Sequence, residues 1–320
     1  MIACFSPHSH GNGNEGHNQL VQIEDQLVRL YQQYKDAVVK VKVAAKTQDS
    51  NGKEQVALTV LSGFYIDEKG TVLTNAVPLQ EGPRIRIEKD GMQLLAVPIA
   101  SDPRSNLGLV QVAKPPAGIR FINLDQVAKA PAIGSLAYAI TSPLDFNPTP
   151  KLGLVTGRES SFSDIDFPFT YTRISIPSGP AEGGSPVFSS EGELIGISVA
   201  SLPDINSSYL VPTNSLRHIV SQLRETKSFI HPIIRARFSE KTDPTSLSRS
   251  IVVNEVDEGS AASQSGLKAG DQIIQFEGVD VTQINTLRDA IFFSDADSFT
   301  SFIIRRGDEE MEITLLLESE

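Results

Sequence analysis

Between Ser178 and Pro186 the sequence reads Ser-Gly-Pro-Ala-Glu-Gly-Gly-Ser-Pro, a tight Gly/Pro loop with hydroxyls near both ends. It lies between strand-like stretches at residues 171–176 and 186–189. A serine hydroxyl becomes a nucleophile only with a base within hydrogen-bond reach and a third group that orients the base. The five histidines are His8, His10, His17, His218 and His231, so residues 18–217 contain none. A histidine-dependent acyl transfer therefore lacks its base on this loop. A Ser–Lys pair needs a desolvated lysine nearby, and the sequence nominates none. His8, His10 and His17 have the donor type for a transition metal. Their polar, Gly/Asn-rich surroundings read as a solvated tail over residues 1–17, and neither a metal nor a cofactor is expected.

The remaining residues must supply the frame for that loop. At 320 residues the protein divides into two or three domains. Its 19 prolines and 23 glycines fit a turn-rich, mainly β architecture. A formal charge of −11 leaves no basic stripe to neutralise phosphates, which excludes nucleic acid as a partner. No apolar run is long enough to span a bilayer. The single cysteine, Cys4, excludes an intramolecular disulfide framework.

Leu20, Ile23, Leu27, Leu30, Tyr31 and Tyr34 recur every three or four residues, predicting an amphipathic helix over residues 18–35. Val39, Val41 and Val43 alternate with lysines in the strand that follows. Residues 58–67 and 72–75 predict a hairpin turned at Asp67-Glu68-Lys69-Gly70. Further strands are expected near residues 84–88, 94–100 and 107–112, with Asp102-Pro103-Arg104 as a turn. A helix over residues 214–224 carries His218, read as exposed or capping, and residues 225–232, with His231, read as a linker. Beyond it, Gly266-Leu267-Lys268-Ala269-Gly270-Asp271 is a tight turn whose glycines suit left-handed backbone. A helix over residues 283–293 and a hairpin from residues 299–305 and 311–317 complete the sequence.

Several of these stretches resemble the HtrA-like (Deg) trypsin-fold serine proteases. That family's active loop reads P-G-N-S-G-G-P-L ahead of a strand ending G-x-I-G-I; here it is Pro180-Ala181-Glu182-Gly183-Gly184-Ser185-Pro186-Val187. Residues 61–78, LSGFYIDEKGTVLTNAVP, resemble G-S-G-F-I-I-D-x-x-G-x-I-L-T-N-x-H-V, and residues 102–110 resemble D-P-x-T-D-L-A-L-L. The resemblance implies a chymotrypsin/trypsin-like double β-barrel with an N-terminal helix over residues 18–226 and a PDZ domain over 227–320. It also shows the positions of base, orienting carboxylate and nucleophile occupied by Val77, Asn106 and Gly183. The expectation is thus a protein that is not an enzyme but binds polypeptides, as a scaffold, a chaperone-like protein or a regulator of an active relative. The alternative is an endopeptidase with an unusual nucleophile such as Ser185. Glu182, Gly183, Gly184 and Ser185 would form a residual oxyanion loop, with the Glu182 carboxylate opposing negative charge there.

The family's PDZ loop, aromatic-Leu-Gly-Val, aligns with Ile233-Ile234-Arg235-Ala236, which would bind protein C-termini by strand addition. Arg235, standing where the family has glycine, either meets the terminal carboxylate, spoils the loop's backbone geometry with its Cβ and long side chain, or points to solvent. The resemblance further implies a trimer formed with help from the N-terminal helix, an active HtrA-like protease as a possible partner, and a bacterial envelope location. Ile2-Ala3-Cys4 resembles the end of a lipobox, which would make Cys4 a lipid anchor.

Overall fold

The computed structural model describes residues 13–48, 52–77, 82–125, 129–144, 146–162 and 165–319. Cys4, His8 and His10, on which the anchor and metal readings rest, lie outside them. Helix α1 (Gly13–Tyr34) begins ahead of the expected Asn18. Its C-terminal half docks on the second barrel of the same molecule. Leu30 is buried, Tyr34 stacks on Phe188 with ring centroids 4.3 Å apart, and the Tyr34 hydroxyl donates to the Gly192 carbonyl. Leu20, Val21, Ile23 and Val28 on the same helix stay exposed.

The first barrel closes in the order β1-β2-β3-β6-β5-β4. Its strands are β1 (Val38–Gln48), β2 (Glu54–Tyr65), β3 (Thr71–Thr74), β4 (Arg84–Lys89), β5 (Met92–Asp102) and β6 (Leu107–Val112). Period-two alternation sends Val39, Val41 and Val43 inward, where they pack with Tyr65, Val72, Ile85 and Val110. β2 starts at Glu54 and not near Leu58, because its exposed first residues keep pairing with β1, Ala57 opposite Ala45. Those residues bury nothing, so hydrophobic patterning does not reveal them.

The second barrel repeats the design with β7 (Leu136–Thr141), β8 (Thr149–Phe162), β9 (Ile165–Ile174), β10 (Pro186–Phe188), β11 (Leu194–Leu202) and β12 (Ser207–Pro212). It closes as β10-β11-β12-β9-β8-β7, and helix α2 (Thr213–Thr226) follows. Phe64 and Leu73 from the first barrel join Ile140, Phe188 and Val211 from the second in one buried cluster between them.

The C-terminal unit has β13 (Pro232–Ile233), β14 (Ala236–Thr242), β15 (Arg249–Val256), α3 (Ala261–Gln264), β16 (Gln272–Phe276) and β17 (Val279–Asp280). Then come α4 (Ile284–Phe292), β18 (Phe299–Arg306), β19 (Glu309–Leu316) and β20 (Glu318–Ser319). Its main sheet runs β14-β15-β16-β18-β19, which leaves β14 at an edge, and β13 pairs with β20. Gly266 and Gly270 take φ of +88° and +93°, the left-handed backbone expected of that turn.

α4 also belongs to the barrels. Phe292 sits in the inter-barrel cluster, its ring 4.3 Å from that of Phe169, while Asp289 accepts a 2.7 Å hydrogen bond from the Thr170 N–H. Arg288 donates to the carbonyls of Ser160 and Phe167. His218, expected at the surface, is half-buried against Phe229, Phe292 and Phe293, and burial pushes its pKa down. His231 in the linker is buried too, with Nε2 3.1 Å from both carboxylate oxygens of Asp102.

Burial pushes the Asp102 carboxyl up, but His231, the Ser105 hydroxyl and the Arg104 N–H together hold it below its usual value. A depressed folded-state pKa contributes stability above the unfolded value, about 3.9, that is lost as pH falls through the folded one. Asp102→Asn is therefore expected to lower the urea midpoint at pH 7 and to lose less between pH 5 and pH 3 than the parent. Parallel losses in both proteins over that range would show that this pair does not couple linker attachment to pH.

Candidate functional site

The loop at residues 178–185 has no helix or strand of its own, so its shape depends on what ties it down. The main tie is Ser62 on β2, which is fully buried. Its N–H donates to the Gly183 carbonyl at 2.8 Å and its hydroxyl to the Ala181 carbonyl at 2.9 Å. The same hydroxyl accepts the Ser142 N–H, also at 2.8 Å, and the Ser62 carbonyl accepts the Thr74 hydroxyl. Gly184, at φ +89°, brings its Cα so close to Ser62 that a Cβ would stand 2.2 Å from the Ser62 carbonyl oxygen. Only glycine fits there.

Around this loop each aligned position has a structural role. Val77 is buried in the apolar core of the first barrel, and its N–H donates to the Ser101 hydroxyl. Asn106 has φ +57°; its Oδ1 accepts the Ala76 N–H and its Nδ2 donates to the Val199 carbonyl at 2.7 Å, bridging the barrels. Gly183 leaves room for Asn75: a Cβ added to Gly183 would stand 2.6 Å from Asn75 Nδ2. Asn75 is buried, and neither atom of its amide has a hydrogen-bond partner among the described residues; Oδ1 is wholly covered.

Glu182, expected to oppose negative charge in the loop, is instead neutralised. Its buried carboxylate accepts the Gly179 N–H and the Thr141 hydroxyl and pairs with the Lys151 ammonium. Lys151 also donates to the Pro177 carbonyl at 3.1 Å, next to Ser178. No periodicity in the sequence couples β8 to this loop, so the lysine was not legible there. Ser185 is 1% exposed, and its hydroxyl donates to the Glu182 carbonyl at 2.7 Å. Ser178, partly exposed, shares a 2.8 Å hydroxyl–hydroxyl contact with Ser198.

In the C-terminal unit, Ile233 pairs with Glu318, and Ile234 and Ala236 pack on the domain core. Arg235 Nε donates to Glu318 at 3.3 Å, so its ion-pair partner is a carboxylate of the same molecule. The Ala236 N–H is occupied by the Ile234 carbonyl at 2.8 Å. Edge strand β14 is tied to helix α4 through the Glu240 carboxylate, which accepts the Ile284 N–H.

Two six-stranded barrels with a loop of this shape between them, followed by a second, smaller β unit, have the architecture of a trypsin-fold domain with a C-terminal PDZ domain. Residues 61–197 match the trypsin-like peptidase domain family, and residues 219–317 match the PDZ domain family. Serine protease HTR4 of Bos taurus is 25% identical over 305 residues, covering 88% of this chain and 61% of that protein. Periplasmic serine endoprotease DegP of Escherichia coli (strain K12) is 26% identical over 286 residues, covering 84% and 59% respectively. The chain spans 56–61% of the length of the curated relatives it matches first. The solved structure of HtrA-type protease AlgW with tripeptide superposes with a TM-score of 0.72 at 16% identity, over 92% of this chain and 97% of that one; it supports the fold.

These names correct one expectation. Three positions alone imply a protein that is not an enzyme, whereas over both domains it is similar to proteins named as serine proteases and endoproteases.

The tie at Asn106 is testable. Asn106→Asp removes the donor to the Val199 carbonyl and sets a carboxylate against that oxygen. A loss of about 1–3 kcal/mol is expected from urea unfolding, larger at pH 8 than at pH 4 because the ionised form is the repelled one. A variant as stable as the parent at pH 8 would show that the bridge contributes nothing.

Proposed function

We propose that this protein handles extended polypeptides, receiving their backbone in the cleft between its barrels and along the open edge of β14. The observation that carries the reading is the loop at residues 179–185, whose backbone stays fixed to the first barrel through Ser62 and Gly184. A loop already held rigid offers its peptide groups without ordering cost at the moment of binding. At the PDZ domain, an unpaired edge strand favours strand addition. Arg235 would have to leave Glu318 to meet a terminal carboxylate. The relatives' description as periplasmic supports an envelope location.

A second reading, serine endopeptidase, is favoured by what the relatives are named. Val77 supplies no imidazole, so the hydroxyl and its base must come from elsewhere. The Ser185 hydroxyl is covered and gives its hydrogen to a carbonyl, which cannot act as a base. Ser178 is more open and has Lys151 beside the preceding residue. To act as a base, that lysine would have to leave Glu182 and give up its own proton.

Incubation with fluorescently labelled unfolded casein and a serine-directed covalent probe separates the readings. The polypeptide reading predicts saturable retention of casein. Cleavage and probe labelling that vanish in Ser178→Ala and persist in Ser185→Ala would establish the endopeptidase with Ser178 as nucleophile; the reverse would select Ser185. No retention and no cleavage would overturn both.

A further inference from the structure

We propose that Asn75 is the group that reads the bound backbone in the cleft, acting from the place a nucleophile's side chain would fill. The inference rests on the polypeptide reading above and deepens it. Gly183 has no side chain, and the space a Cβ would claim is taken by the Asn75 amide, 2.6 Å from Nδ2. The residue is 7% exposed, and its amide has no hydrogen-bond partner among the described residues. A buried amide left unpaired is costly, and one packed against the loop to which the polypeptide reading assigns the bound chain has its natural partners in that chain. Turning outward breaks no hydrogen bond.

The chemistry selects the ligand class. An amide carries one donor group and one acceptor, and it is neutral. A peptide unit has the same complement, so Asn75 can give Nδ2–H to a backbone carbonyl and take a backbone N–H on Oδ1. The flanking groups are also uncharged towards the cleft: Val77 is hydrocarbon, Asn106 commits its amide to Ala76 and Val199, and Glu182 is neutralised by Lys151. Such a site takes an extended, sequence-tolerant backbone in preference to a charged group.

The test uses the whole 320-residue chain and fluorescently labelled unfolded casein, with affinity read by anisotropy and folding by thermal unfolding. Asn75→Ala removes the amide. Gly183→Ala drives a methyl group into it, at a residue whose φ lies outside the left-handed region, so the backbone accepts alanine. Each variant should weaken casein binding by about tenfold, the loss of one or two hydrogen bonds, and the double variant should be no weaker than either single one. Should Asn75→Ala fail to fold, Gly183→Ala decides alone. Binding by folded variants within about twofold of the parent would overturn the role of Asn75 while leaving the polypeptide reading intact. A parent that does not bind casein would overturn the polypeptide reading, and this inference with it.

Discussion

The hydrogen bonds converging on Ser62 fix the relation between the two barrels at the cleft. A loop rich in glycine and proline loses much conformational entropy when held in one shape, and nothing within residues 179–185 is regular enough to offset that loss. Ser62 supplies a donor N–H, a donor hydroxyl that also accepts, and an acceptor carbonyl, all without solvent. Each such bond contributes only about 1 kcal/mol net, but losing one partner strands the other in the interior at about 1–3 kcal/mol. That asymmetry makes the seam specific. It also dictates Gly184, since no side chain fits between the loop and the Ser62 carbonyl.

With the loop pinned, the neighbouring positions serve the fold. Val77 extends the apolar interior of the first barrel, and Asn106 joins the barrels through a donor that a carboxylate lacks. The Lys151–Glu182 pair holds the far side of the loop. The C-terminal unit is built into the same arrangement, because Phe292 of α4 lies in the inter-barrel cluster and His231 reaches Asp102.

Much of this was legible in the sequence. The valine alternation of β1, the Gly-bounded turn and the loop motif depend on local pattern and short spacing, and the double barrel with a PDZ domain is what the family resemblance carried by such motifs implies. What escaped reading depends on contacts between residues far apart. His218 lies on an amphipathic helix that reads as surface, and Phe229 from the connecting segment, together with Phe292 and Phe293, half-buries it. His231 looks like a linker residue until Asp102 is placed beside it. Asn75 belongs to a motif that matches without comment, yet its unpaired amide becomes visible only when Gly183 is seen opposite. For a related reason the three aligned positions describe the chemistry of one route only, whereas the similarity to proteins named as serine proteases runs over both domains.

The most direct measurement of the central claim is amide hydrogen exchange at single-residue resolution across the seam in the free protein. The account predicts that the N–H groups of Ser62, Ser142 and Gly184 exchange as slowly as the barrel strands, opening only with the fold as a whole. Exchange at those three positions as fast as in an exposed loop, with the strands still protected, would contradict it.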